Sequence, residues 1–271
     1  MATYTGVADA NGDFIVPFLA SYTSGQKVTV TSEKEGATKT IELFAPSDVS
    51  GGGKIRFSGT MVNFPTNVGS VEIVDLSGAI NPYAFDGENG GFPRLATSLT
   101  INGGDINVGN YTFRSWRNTL TFTVNAVVKA LGQWSFSYME KVTNVDVFNT
   151  ILASVTATTI PISCFFGNKA VTGHLVIPDH IVTIDTQAFA SWNALTKLTI
   201  GSSVKNLNIQ CFSGLLACNE IICLPLVPPV YGNGVLVNLK ASCVIKVPSG
   251  SLSAYQTATG WSAFASQMVG V

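Results

Sequence analysis

His174 and His180 flank the short apolar run Leu175-Val176-Ile177, with Asp179 and Asp185 nearby. A His–carboxylate pair can move protons when both groups line a cleft. No Ser or Cys nucleophile motif accompanies it, and the chain has 2 His in all. These residues are therefore expected to be solvated turn residues. The cysteines, at positions 164, 211, 218, 223 and 243, have no C-x₂-C spacing. A zinc site is not expected from them, and they are read as reduced core thiols. Asp9-Ala10-Asn11-Gly12-Asp13 has the D-x-N-x-D start of a calcium loop. Such a loop needs Gly at its sixth position and Glu at its twelfth. Phe14 and Ala20 stand there, so a tight turn is expected. Gly51-Gly52-Gly53 and Gly87…Gly91 lack the Lys and Ser/Thr of a phosphate-binding loop. No catalytic residue, metal or cofactor is expected. Aromatic side chains are what remains. Tyr83, Tyr111 and Trp134 each stand before a small residue followed by Phe, and Trp116 and Trp192 stand three residues after such a Phe.

Composition narrows the function classes. Charged residues are 11% of the 271-residue chain, against about 25% in an average soluble domain. The formal net charge is −1. That balance argues against nucleic-acid binding, which rests on clustered Lys and Arg that displace counterions. An apolar content of 46% argues against disorder. No apolar run approaches the ~18 residues of a membrane span. Met1 to Val7 shows no basic and then apolar leader, so synthesis in a cytosol without a secretion signal is expected.

The elements that must position the aromatic residues come from a period. Shifting by 23 places Ile177 on Ile200, Ile181 on Val204, Ile184 on Leu207, Phe189 on Phe212 and Leu198 on Ile221. The sharpest unit is an aliphatic residue, three variable residues, a small residue and Phe. It runs through Ala84-Phe85, Thr112-Phe113, Ser135-Phe136, Cys164-Phe165, Ala188-Phe189 and Cys211-Phe212. Apolar–x–apolar strands follow at 122–124, 145–147, 175–177, 198–200 and 221–223, with 99–101 after an insert and 245–247 closing the series. Strands this short need stacking neighbours, so the units must pile into coils with one continuous core. The outward strand column would read Thr100, Thr123, Asp146, Val176, Thr199, Ile222, Lys246. In register, Tyr83, Tyr111 and Trp134 would form an outward aromatic strip, followed by Ser163, Gln187 and Gln210. Trp116 and Trp192 would form a second column. Rings with a polar edge suit sugars or a protein partner.

Written L-x-I-P-x-x-I-x-x-I-x-x-x-A-F in this chain, the pattern resembles BspA-type leucine-rich repeats over roughly residues 70–248. The resemblance implies a mainly β solenoid with short helical or 3-10 turns. It also implies a helical C-terminal cap over 249–271 that uses Tyr255, Trp261 and Phe264. Residues 54–248 are taken as the solenoid with its N-terminal cap strands at 55–57 and 71–73. Residues 48–53 are taken as a Gly-rich linker. Residues 1–47 alternate in period two at 28–32 and 39–43, with a further strand at 14–18. They resemble part of a bacterial Ig-like module. The combination looks like a phage tail-fibre or baseplate component. The resemblance implies a non-enzymatic virion protein, bound to other virion proteins through residues 1–53 and to a host cell-surface glycan or protein through the strip. A trimer would suit a fibre. Capsid decoration and a BspA-like bacterial surface adhesin are the alternatives; no nucleic acid and no membrane insertion are expected.

Overall fold

A strand of two to four residues has too few ladder hydrogen bonds to stand alone, and the chain solves this by lateral stacking. The computed structural model describes residues 27–34, 37–44, 54–58, 69–88 and 92–271. β1 (Lys27–Lys34) and β2 (Ala37–Phe44) form an antiparallel hairpin in a sheet of its own. This matches the two alternating runs. An Ig-like sandwich needs two packed sheets; the described part of residues 1–47 makes one two-stranded sheet, and no finding supports the Ig-like reading. The strand expected at 14–18, the turn at 9–13 and the joint at 48–53 lie outside the described residues.

β3 (Lys54–Ser58) pairs antiparallel with β4 (Gly69–Ile80), joining Ile55 to Ile73 and Phe57 to Val71 as the cap strands. After α1 (Phe92–Leu95), β5 (Ala96–Val108) runs parallel to β4. β6 (Thr121–Val124) and β7 (Val127–Ala130) both pair with β5, so the long early strands divide into two tracks. α2 (Asp146–Ser154) then interrupts the strands. Beyond it two kinds of strand alternate: β8 (Thr159–Ile160), β9 (His174–Val176), β10 (Thr183–Ile184), β11 (Lys197–Ile200), β12 (Asn206–Leu207), β13 (Glu220–Cys223), β14 (Val230–Tyr231) and β15 (Val244–Val247). The even-numbered strands make one parallel sheet and the odd-numbered ones another. Leu198 faces Ile221 and Ile200 faces Cys223, the 23-residue shift seen in the sequence.

A third ladder joins the turns on the remaining side. Phe113 N–H donates to the Ser135 carbonyl, Phe136 N–H to Cys164, Phe165 N–H to Ala188 and Phe189 N–H to Cys211, all at 2.8–2.9 Å. The Phe rings stack accordingly, with centroid steps of 5.3, 5.3, 6.0, 5.2 and 5.4 Å from Phe85 to Phe212. The core is therefore one column of rings flanked by strand aliphatics. The small residue before each Phe permits close coils: Ser135 Oγ and Cys164 Sγ touch across neighbouring coils at 3.2 Å.

One expectation fails here. Residues 145–147 are not a strand. Val147, Phe148, Ile151 and Leu152 are buried on one face of α2, and that helical spacing outweighs a two-residue Val-x-Val alternation. Asp146 accordingly leaves the strand column and opens the helix. Asn149 on α2 supplies what a strand would have: its Nδ2 donates to the His174 carbonyl and its Oδ1 accepts from Val176 N–H, both at 2.9 Å. One side-chain amide thus closes the edge of β9. At the C-terminus the cap forms with α3 (Leu252–Thr257) and 3-10 turns on either side, and Tyr255 and Trp261 are buried. It also adds β16 (Met268–Gly270), which pairs with β15 and extends the main sheet.

Candidate binding surface

The strip begins with an unusual backbone. Tyr83, Tyr111, Trp134, Ser163, Gln187 and Gln210 all have φ between 50° and 63°. A non-Gly residue in this left-handed region costs about 1–2 kcal/mol. The turn ladder offsets that cost, because each of these N–H groups donates to a carbonyl of the next coil at 2.8–3.1 Å. The small residue that follows is buried in every coil. The six positions thus form the expected register. Tyr83 is 53% exposed, Tyr111 and Trp134 are half-buried, and Ser163 is buried, which ends the aromatic run. Gln187 and Gln210 continue the column through an Nε2–Oε1 hydrogen bond of 3.0 Å.

The rings stack on each other. Tyr83 and Tyr111 centroids lie 4.7 Å apart and Tyr111 and Trp134 6.4 Å apart, with interplanar angles of 8°. The facing sides of these rings therefore cover one another along the ladder. At Trp134 the aromatic path turns sideways to Tyr138, at 6.1 Å, and Phe166, at 5.4 Å. Arg114 lies over Tyr111 at 4.8 Å and Arg117 over Tyr138 at 4.4 Å. Arg114 grips Asp86 with two hydrogen bonds, of 3.0 and 2.7 Å, which hold its pKa above the ordinary guanidinium value. Arg117 bridges Glu140 and Glu88. The Ser115 hydroxyl donates to Glu88, whose carboxyl is thereby held below the usual carboxylate range. The result is a rigid patch of Tyr, Trp and Arg with its charges balanced internally.

Tyr138, Phe166, Arg114 and Arg117 were not singled out from the sequence. Tyr138 carries a readable signal. It shares a second left-handed column with Ser115, Gly167, Ser191 and Gly214, and it is the large residue among small ones.

Trp116 and Trp192 do not form a surface column. Both are fully buried, and their indole N–H groups donate to the carbonyls of Phe85 and Phe165, at 2.8 and 2.7 Å. Three positions after the repeat Phe the chain has already turned inward. A side chain there meets the Phe carbonyl of the preceding coil instead of solvent. Asn168 stands at the same position and makes the same contact with Phe136.

The other candidates have separate partners. His174 Nε2 meets Thr199 Oγ1 at 2.8 Å, and His180 is exposed. Asp179 accepts from Ser202 and Asp185 from Asn208. All five cysteines are buried free thiols, and among the described residues no group of His, Cys, Asp or Glu could hold a metal ion. On the outer face of the main sheet, Glu220 lies 2.7 Å from Lys197 and 2.5 Å from Lys246. Hydrogen bonds from Lys197 and Lys246 hold its carboxyl down at about 2. The folded value is below the unfolded one, so the pairing adds stability above about pH 4.3 and loses it as pH falls toward 2. These groups are partly exposed, so Glu220→Gln should cost under about 1 kcal/mol at pH 6, and nothing near pH 2. Urea melts of both proteins across that range check this. A gap that persists at pH 2 would contradict it.

Six copies of the BspA type leucine rich repeat region match residues 64–155 and 158–226. The chain belongs to the BspA-type leucine-rich repeat family. The solenoid of this family member runs past the matched range, since β14, β15 and β16 continue both sheets. Among solved structures it is similar to a leucine rich cell surface protein from Faecalibacterium prausnitzii A2-165. The identity is 15% over 72% of this chain and 69% of that one, with a TM-score of 0.40. No curated protein matches the chain in sequence. None of these findings supports the expected tail-fibre, baseplate or virion location.

Proposed function

We propose that this repeat protein is a non-catalytic recognition module of the bacterial cell surface, a BspA-like adhesin that binds a host surface protein. The observation that carries the reading is the patch of Tyr83, Tyr111, Trp134 and Tyr138 framed by Arg114 and Arg117. Tyr, Trp and Arg are the residues that dominate the energetics of protein interfaces. Here they are held rigidly by stacking and ion pairs, so little side-chain entropy is lost on contact. A protein partner fits better than a glycan. Sugar rings dock on open aromatic faces, whereas the facing sides of Tyr83, Tyr111 and Trp134 are spent on one another. The BspA-type repeats over residues 64–226 support the surface assignment.

The test is binding of the purified protein to host cells, before and after protease treatment of the cells. The double substitution Tyr111→Ala with Trp134→Ala is expected to lower binding at least tenfold while circular dichroism stays near wild type. Unchanged binding by the variant removes the patch from the interface. Binding that survives protease and is lost on glycan removal replaces the protein partner with a glycan.

A further inference from the structure

Cys218 and Cys243 sit at one place in two successive coils. Each closes a tight turn, with Cys218 N–H donating to the Leu215 carbonyl and Cys243 N–H to the Lys240 carbonyl. The next residues are bonded directly: Val244 N–H donates to the Asn219 carbonyl at 2.9 Å. Val244 is paired with Glu220, so Cys243 lies one position off Cys218 on neighbouring parallel strands about 4.8 Å apart, a diagonal Cα separation of roughly 5–6 Å. That spacing falls in the Cα window of a disulfide, roughly 4.4–6.8 Å. Cys218 Sγ donates to the Glu220 carbonyl at 3.3 Å and Cys243 Sγ to the Val244 carbonyl at 3.8 Å, and each thiol acts on the other, lowering the pKa of Cys218 and raising that of Cys243.

The other thiols lack such a neighbour in their columns. Cys164 and Cys211 occupy the small-residue slot with Ala188 between them, so they are two coils apart, roughly 9–10 Å. Cys223 has Ile200 as its register partner on one side. Burial lifts the pKa of Cys164 to about 12 and that of Cys223 beyond the usual thiol range.

We infer that Cys218 and Cys243 are a modification site, a dithiol that closes to a disulfide between the last two coils when local opening of the C-terminal end of the stack admits a small disulfide oxidant such as oxidised glutathione to these buried thiols. The Cys218 thiolate attacks one glutathione sulfur and one glutathione leaves. The Cys243 thiolate then attacks the Cys218 sulfur of the mixed disulfide and the second glutathione leaves. Two thiol protons and two electrons pass from the protein to the oxidant, which ends as two glutathione molecules. The bond joins positions 25 residues apart and ties β13 to β15, the strand that carries β16. It restricts the unfolded chain and so stabilises the C-terminal end of the stack.

The experiment treats the full chain with oxidised glutathione at pH 8, alkylates the remaining thiols after denaturation, and maps the peptides by mass spectrometry. The expected product has Cys218 joined to Cys243 and alkylated Cys164, Cys211 and Cys223. Its melting midpoint should rise by about 5–10 °C and return on reduction. Cys218→Leu and Cys243→Val carry residues that fill the same turn position as Leu195 and Val171, so both should fold and neither should show the rise. Five free thiols after treatment, glutathione retained on Cys218, or a bond to any other cysteine would overturn the inference.

Discussion

Replacing Phe189 by alanine is expected to destabilise the protein by about 3–5 kcal/mol. The ring is fully buried between Phe165 at 5.2 Å and Phe212 at 5.4 Å, and it meets the edge of Trp192 at 5.4 Å. In many cores a truncated side chain is partly compensated by collapse of its surroundings. Here the coil spacing is set by hydrogen-bond ladders on three sides, so the neighbouring rings cannot close the gap without breaking backbone bonds. The cavity term should therefore be retained nearly in full. The loss also falls on two coil–coil interfaces at once. In a quasi-one-dimensional stack that weakens the coupling between the halves on either side. Urea denaturation should show a lower midpoint and a broader transition. Phe85→Ala, at the end of the ring column with one stacked Phe neighbour, should cost less. A change under about 1 kcal/mol at Phe189 would mean that the rings do not carry the stack.

The repeat was legible because its slots are narrow. An inward Phe every 23–29 residues, a small residue before it and a short aliphatic pair after it leave few ways to build a core. From those slots follow the parallel register at Leu198 and Ile221, the ring column and the outward position of Tyr83, Tyr111 and Trp134. What escaped depends on direction, which residue type does not encode. Val145-Asp146-Val147 reads as a strand over three residues, and only the wider spacing to Phe148, Ile151 and Leu152 decides for a helix. Trp116 and Trp192 have the character of binding residues, but their position three residues after Phe sends them to a backbone carbonyl. Cys218 and Cys243 look like scattered core thiols in sequence, because the 25-residue step departs from the 23-residue period that would have aligned them. Arg114 and Arg117, whose guanidinium groups lie over Tyr111 and Tyr138, occupy variable positions that no periodicity marks.

The Trp116 and Trp192 contacts lead to the other large effect, at Asn168. Three residues after its repeat Phe, this side chain does what the two indoles do elsewhere: Nδ2 donates to the Phe136 carbonyl at 3.0 Å. Its Oδ1 also accepts from Met139 N–H at 2.8 Å, so one amide completes both halves of a buried backbone gap where the 29-residue unit departs from the regular turn. Asn168 is fully buried. Asn168→Leu fills the slot as Leu215 does one repeat beyond Trp192, yet leaves a donor and an acceptor without partners. Each such group costs about 1–3 kcal/mol, so a loss of about 3 kcal/mol is expected in urea melts at pH 7. Asn168→Asp separates polarity from shape. The ionised carboxylate still accepts from Met139 but opposes the Phe136 carbonyl and is desolvated, so its folded pKa should rise above the unfolded value of about 3.9. Stability of this variant is then highest below pH 4, where the protonated acid can donate to Phe136, and falls as pH rises through the raised folded value. A pH-independent loss equal to that of Asn168→Leu would show that the carbonyl contact contributes nothing. Wild-type stability in both variants would remove Asn168 from the coil junction altogether.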